Sequence, residues 1–194
     1  MDEQLLTAHC SLKMSLAHTI LATLGSESYS GYDLWKKFSQ TSKYYWQATQ
    51  QQIYRELGKL EKEGAITSEL IPQENRPNKK LYQVTEEGIE KLKTWLLEPA
   101  EPMAIREELL VKVIASQLVS KSVILQEIER HHQIHSQKLS EYKEIEQREF
   151  PDISQLSYQK KCLYVTLRCG IRYEIYRIEW CEEAIALLSE GNNG

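Results

Sequence analysis

The stretch Gln50-Gln51-Gln52-Ile53-Tyr54-Arg55-Glu56-Leu57-Gly58-Lys59-Leu60-Glu61-Lys62-Glu63-Gly64 reads as one helix closed by a glycine. Ile53, Leu57 and Leu60 recur at i, i+4 and i+7, which makes one narrow face apolar. Gln51, Gln52, Arg55, Lys59 and Lys62 fall on the opposite face. Thr49 is placed to cap the first turn. Downstream, Ala65 to Ile71 can pair as a strand with Lys79 to Val84 across the polar loop Pro72-Gln73-Glu74-Asn75-Arg76-Pro77-Asn78.

Helix, strand, basic-tipped loop, strand is the order of a winged helix. Amide and cationic side chains on the solvent face of its third helix are of the kind that reads base edges and grips phosphates. DNA binding is therefore the leading expectation. The candidate contact set is Thr49, Gln50, Gln51, Gln52, Tyr54, Arg55 and Lys59 on the helix, with Arg76, Lys79 and Lys80 on the wing. Isolated, Arg55 and Lys59 would read as solvated surface; followed by a wing, they read as DNA contacts. Tyr54 keeps two readings, half-buried flank of the core or a hydroxyl reaching a phosphate.

The formal net charge of -4 argues against a general nucleic-acid coat protein but not against a site-specific binder, for which the local patch matters more than the sum. Ser28 to Lys80 holds nine Lys and Arg against six Asp and Glu, whereas Pro99 to the end holds twelve against fifteen. The front half thus carries the sign a DNA-binding surface needs. Met1 to Cys10 lacks a basic stretch and a long apolar core, so no signal peptide is read there. No apolar run approaches the about 20 residues of a membrane span. Cys10, Cys162, Cys169 and Cys181 form no CxxC pair, and reduced thiols in a cytoplasmic protein are expected.

The fold class expected is mainly α with a small β-hairpin wing, a winged helix-turn-helix domain followed by an all-helical C-terminal domain. Residues 1–10 are a leader, 11–98 the DNA-binding domain and 99–194 a helical dimerisation domain, with Pro99 and Pro102 breaking the chain between them. A first helix runs from Ser11 to Leu24, apolar around much of its circumference through Leu12, Met14, Leu16, Ala17, Ile20 and Leu21. Ser30 to Phe38 is a second, with Leu34, Trp35 and Phe38 turned inward. Thr85 caps a fourth, whose apolar face is Ile89, Leu92 and Leu96 with Trp95 beside it. Ile105 to Leu118, Lys121 to about Phe150 and Tyr158 to about Leu188 are helices of the second half.

The last of these carries two apolar stripes on opposite sides. Cys162, Val165, Cys169, Tyr173, Tyr176 and Trp180 form one; Tyr164, Leu167, Ile171, Ile175 and Ile178 form the other. One stripe can pack within its own domain; three helices have little material to cover the other as well, and a second copy of the chain is the simplest partner for it, the alternative being that both are covered within one chain. The expected seam is Tyr164, Leu167, Ile171, Ile175 and Ile178.

Other chemistry finds less support. His131, His132 and His135 lie near one another, but two imidazoles a turn apart do not make a metal site, and plain helix surface is expected. Cys162 and Cys169 are expected to be core thiols, and the tyrosines and tryptophans packing residues. There is no Gly-rich phosphate loop, no GxSxG and no distinct carboxylate pair, so no catalytic residue, metal or cofactor is assigned.

Taken together these segments resemble the PadR family of bacterial transcriptional regulators. Gly31-Tyr32-Asp33-Leu34, Gln52-Ile53-Tyr54-Arg55-Glu56-Leu57, Leu60 to Ile66, Arg76 to Tyr82 and Val84-Thr85-Glu86-Glu87-Gly88 stand in the family's order. Arg106 to Lys112 looks like the start of its helical C-terminal domain. The resemblance implies a dimeric regulator, usually a repressor, whose third helix enters the major groove of double-stranded DNA. It also implies a small hydrophobic effector as a candidate partner. Residues 1–10 and the triple glutamine depart from the family core. A winged-helix module that binds protein rather than DNA is the main alternative.

Overall fold

The computed structural model describes residues 16–40, 48–73, 78–100, 102 and 106–190. The chain divides into two compact units, residues 1–101 and 102–194.

In the first unit, α1 (16–24) is followed by β1 (Tyr29–Ser30), α2 (Gly31–Gln40), α3 (Gln50–Lys62), β2 (Ile66–Ile71), β3 (Lys79–Val84) and α4 (Glu86–Leu96). Leu16, Ala17, Ile20, Leu21 and Leu24 of α1 pack with Leu34 and Phe38 of α2 and with Ile53, Leu57 and Leu60 of α3. Each of the three α3 side chains is wholly removed from solvent. At about 1.5–3 kcal/mol per large aliphatic side chain, they fix which face of α3 turns in and so which face turns out. Leu12 and Met14, the leader and the connector 41–47 lie outside the described residues.

The sheet order is β1-β3-β2, antiparallel throughout. β2 and β3 form the expected wing hairpin, with Ile66 opposite Val84 and Ile71 opposite Lys79. β1 was not foreseen. It is two residues long and pairs Tyr29 with Tyr82 and Ser30 with Leu81.

Capping sets the ends. Ser30 Oγ accepts from Asp33 N–H at 3.1 Å and donates to Asp33 Oδ2 at 2.8 Å, so it caps α2 as expected. Gly64, with φ at 74°, takes the left-handed conformation that ends α3. Thr85 Oγ1 accepts from Gly88 N–H at 3.1 Å and donates to the Gly64 carbonyl at 2.7 Å, joining the end of α3 to the start of α4. At Gly88 a Cβ would stand 2.0 Å from the Ala65 carbonyl oxygen, so no larger residue fits.

α4 corrects an expectation. Leu92 packs on the core, but Ile89 is partly exposed and Leu96 is 66% exposed. Trp95 instead stacks on His18 of α1, ring centroids 4.4 Å apart and nearly parallel. Trp35 of α2 is only half-buried.

The second unit holds α5 (Glu108–Ile114), a 3-10 turn at Ser116–Leu118, α6 (Lys121–Glu149), a second turn at Ile153–Gln155 and α7 (Tyr158–Ser189). α6 and α7 are an antiparallel pair. Arg168 and Tyr164 both reach Glu146, and Lys121 reaches the Ser189 carbonyl at the other end. Ile124, Ile128, Tyr142 and Ile145 of α6 are buried, as are Leu167, Ile171 and Cys181 of α7.

The two stripes of α7 exist, but the one expected at the seam is the one packed within the chain. Leu167 and Ile171 are 0% and 1% exposed, and Tyr164, Ile175 and Ile178 are half-buried beside them. Leu167 and Ile171 are thus core side chains of the second unit rather than the exposed seam positions expected. On the other stripe Val165, Tyr173 and Tyr176 are more than half exposed, and Cys162 and Cys169 are exposed rather than core thiols.

His135 is also corrected. It is buried, with Nδ1 2.5 Å from Glu174 Oε2 and Nε2 accepting from Arg177 Nε–H at 3.4 Å. A carboxylate can only accept, so the imidazole proton sits on Nδ1. Arg177 continues to Glu107 at 3.4 Å and lies over the Trp180 ring. Each of these buried charges thus has a partner, as burial requires. His131 and His132 pair with Glu127 and Glu182 near the surface.

Candidate nucleic-acid interface

α3 begins with a reciprocal cap. Thr49 Oγ1 accepts from Gln52 N–H at 3.2 Å, and Gln52 Oε1 accepts from Thr49 N–H at 2.8 Å. Two members of the candidate set therefore hold the helix end, and only the Gln52 amide NH2 remains to face outward. Gln50, Gln51 and Arg55 are exposed. Arg55 lies one turn beyond Gln51 and has no hydrogen-bond or ion-pair partner among the described residues. Its guanidinium is therefore free to make the bidentate contact its geometry suits.

Tyr54 is 44% exposed and lies across the start of α2. A Cβ on Gly31 would come within 2.6 Å of its ring, so this glycine lets the ring lie flat there. Tyr54 is thus partly covered by the protein, in keeping with the half-buried reading.

The remaining cations are less free than their spacing implied. Lys59 lies between Glu56 at 3.6 Å and Glu63 at 3.7 Å. Lys79 and Lys80 are neighbours on β3, so their side chains leave opposite faces of the strand. Lys79 reaches Asp33 of α2 at 2.8 Å, and Lys80 reaches Glu61 of α3 at 2.7 Å. The Lys79 hydrogen bond, with Ser30 second, holds the Asp33 carboxyl below its usual range. Lys80 and then Ser68 do the same for Glu61, whose bond in turn raises the Lys80 ammonium. Glu63 is lowered by Lys91. The wing is thus clamped to the helical core by two charge-assisted bonds. Arg76 lies outside the described residues.

Gly58 lies beside the candidate set, and periodicity could not single it out. It sits in the middle of α3 on the outward face, and a Cβ there would meet nothing within 4 Å. Mid-helix glycine costs about 0.5–1 kcal/mol relative to alanine, and nothing in the fold requires one here.

The second unit contains a pocket of about 690 Å³ between α5, the following 3-10 turn and α6. Ala115, Leu118, Val119, Val123 and Ile124 make it apolar, and Lys112, Glu127 and Arg130 stand around it. Arg130 and then Lys112 hold the Glu127 carboxyl down to about 2. Among the described residues, no group of His, Cys, Asp or Glu could hold a metal ion. None of the described helices is long and apolar enough to cross a membrane.

A helical core, a short third strand and a two-stranded wing under an outward polar α3 define a winged helix-turn-helix protein. Residues 20–94 match the model of the transcriptional regulator PadR-like family, and residues 105–189 match that of the virulence activator alpha C-terminal domain. A probable transcriptional regulator of Mycobacterium tuberculosis is 30% identical over 91% of this chain and 99% of its own. The negative transcriptional regulator PadR of Bacillus subtilis is 26% identical over 90% and 98%. Its crystal structure with operator DNA superposes with a TM-score of 0.80 at 26% identity, covering 89% of this chain and 97% of that one; a structure with p-coumaric acid gives 0.74, covering 90% and 99%. The Vibrio cholerae virulence activator AphA gives 0.75 at 28% identity over 90% and 98%. The chain belongs to the PadR family. It is a transcriptional regulator and not an enzyme.

Proposed function

We propose that this chain is a sequence-specific DNA-binding repressor acting as a homodimer on a pseudo-palindromic operator in the bacterial cytoplasm. The observation that carries the proposal is Arg55, exposed and without a partner among the described residues on the outward face of α3, with Gln50 and Gln51 in the turn before it. Gly58 on the same face leaves room for a closely approaching surface. The solved complex of the Bacillus subtilis relative with operator DNA supports the partner, and that relative's description as a negative regulator supports the sign.

In this reading α3 enters the major groove, and Lys79, Lys80 and Arg76 contact the backbone. A dimer sets its two recognition helices about 34 Å apart, or a multiple of that, on one face of the duplex. A small hydrophobic effector would suit the apolar pocket beside α5, whose volume lies in the range of small-molecule sites. The p-coumaric acid complex of the same relative supports an effector of this class. A mobility-shift assay on the upstream region of the protein's own gene, followed by footprinting, tests the proposal. Two inverted half-sites are expected.

One observation favours the alternative of a protein-binding winged helix: Lys79 and Lys80 are already neutralised by Asp33 and Glu61. Absence of any shifted band on genomic operator candidates, with a folded dimer in solution, would support that alternative.

A further inference from the structure

We propose that the buried cluster of His135, Glu174 and Arg177 is a proton-operated latch. Through Glu107 it holds the start of α5 against α6 and α7, and it lets go when His135 takes up a proton. The latch is independent of what α3 binds.

Among the described residues of the second unit, no charged side chain other than Glu174 and Arg177 is buried. His135 comes from the middle of α6, and the other two stand one turn apart on α7. Along the helix pair, Ile128 and Cys181 are buried on one side of the cluster, and Tyr142 and Leu167 on the other. A buried ionic group can often be replaced by apolar residues of similar volume with no loss of stability. Holding α6 to α7 therefore does not call for charges at this point.

While His135 is neutral, its bonds are matched. Nδ1–H donates to Glu174 Oε2 at 2.5 Å, and the bare Nε2 accepts from Arg177 Nε–H at 3.4 Å. The guanidinium also lies 3.4 Å from Glu107 Oε2. A further proton on His135 has only Nε2 to go to. Nε2–H then faces Arg177 Nε–H, donor against donor and cation against cation, and the bond between them is lost. Arg177 is 6% exposed, and an unmatched buried donor is costly. It turns away toward solvent and releases Glu107.

The other groups around His135 offer Nε2 no replacement. On α6, His131 stands one turn before it, ring centroids 6.1 Å apart, and is engaged with Arg130 and Glu127. On α7, Tyr173 makes a T-shaped ring contact at 6.2 Å, and Glu174 is taken by Nδ1. Glu107, from the start of α5, reaches the cluster through Arg177. Among the described residues, Nε2 has no hydrogen-bond partner besides Arg177.

α5 is the element that yields. It has seven residues, and Glu107 at its N-cap makes no side-chain capping bond. Leu109 is buried, whereas Val111 and Ile114 are 64% and 78% exposed. Ion pairs tie it to other elements, Glu107 to Arg177 at its start and Lys112 to Glu127 of α6 at 3.3 Å further along. So short a helix is not stable by itself, and loss of the first pair leaves its start to fray. α5 is also the first helix after the division between the two units, so the latch sets how firmly the joining segment is anchored to the second one.

Amide hydrogen exchange on the full-length protein, corrected for its intrinsic pH dependence, follows α5, and nitrogen NMR shifts of the His135 ring follow its protonation. The expected result is a neutral Nδ1–H tautomer above neutrality. Protection of Glu108–Ile114 should then fall severalfold in step with His135 protonation, while the middle of α6 stays protected. His135→Gln keeps an acceptor for Arg177 and a donor for Glu174 but cannot titrate, and should hold α5 protected throughout. Glu107→Ala changes a half-buried residue and should leave α5 fast at every pH. His131→Gln should leave the transition in place. A wild-type α5 that exchanges alike before and after His135 takes its proton overturns the latch. So does a His135 that stays neutral for as long as the protein is folded, or a loss of protection shared by the middle of α6. A transition that survives His135→Gln or vanishes in His131→Gln overturns it too, as does a Glu107→Ala protein whose α5 is protected like the wild type.

Discussion

Lys80 Nζ lies 2.7 Å from Glu61 Oε2, so a cation of the wing is already bound to a carboxylate near the end of α3 before any partner arrives. The same ammonium lies over the Tyr82 ring, and Glu61 is also bonded by Ser68. A phosphate reaching Lys80 must displace Glu61. Glu61→Gln is therefore expected to tighten binding to every DNA sequence alike and to steepen the salt dependence by up to about 0.9 in the log–log slope, one phosphate's worth. Lys80→Ala should flatten the slope by less than that. Titrations at several salt concentrations check both, and an unchanged slope in Glu61→Gln would show that Lys80 does not meet phosphate.

Gly58 offers a separation of stability from function. Because a Cβ there meets open space, Gly58→Ala should raise stability by about 0.5–1 kcal/mol, read as a higher midpoint in urea unfolding. If a surface approaches α3 closely at this point, the same variant should bind DNA more weakly. A variant that is no more stable would mean that the glycine serves the fold.

The buried and exposed stripes of α7 make a contrast in stability. Ile171→Ala removes a side chain 1% exposed against α6 and is expected to cost about 2–5 kcal/mol in unfolding free energy. Tyr176→Ala alters a residue 59% exposed in the monomer and should leave the fold of one chain intact while weakening self-association. Denaturation and light scattering on the two variants distinguish core from seam. Equal effects on both would contradict the assignment.

Much of the fold was legible because its signals are local. Thr49 and Thr85 cap where they should, Gly64 closes α3, and Ile53, Leu57 and Leu60 turn in together. β1 was not legible, since two residues become a strand only when Tyr82 and Leu81 lie beside them. Periodicity showed that α7 has two apolar sides but is blind to which one meets α6. His135 read as surface because its partners Glu174 and Arg177 come from another helix about forty residues away. The pairing of Lys79 with Asp33 and of Lys80 with Glu61 was hidden for the same reason. In the candidate interface, Gln51 and Arg55 lie on the exposed face that the pattern assigned them, whereas the availability of the lysines was overstated.

His18 supplies a pH dependence. Burial, with Lys91 second, pushes its imidazole below the usual value near 6.5, and its Nδ1 has no partner among the described residues where it stacks on Trp95. The unfolded chain therefore takes up a proton there before the folded one does. Stability should be unaffected above 6.5 and fall as pH drops from 6.5 through the lowered folded value. His131, lowered mainly by burial, adds to the same trend. His18→Phe keeps an aromatic ring against Trp95 and should flatten the dependence of the melting temperature below the usual imidazole value near 6.5. An undiminished slope would mean that His18 is not the group involved.

The central claim is that α3 reads sequence through Arg55. Its most direct measurement is fluorescence anisotropy of wild-type and Arg55→Ala protein on two duplexes, one selected by the wild-type protein from a random library and one of scrambled sequence. Loss of a base contact is expected to weaken binding to the selected duplex by about 1–3 kcal/mol, roughly tenfold to a hundredfold, and to change binding to the scrambled duplex far less. Equal weakening on both duplexes would make Arg55 a phosphate contact, and no weakening on either would place the DNA somewhere other than α3.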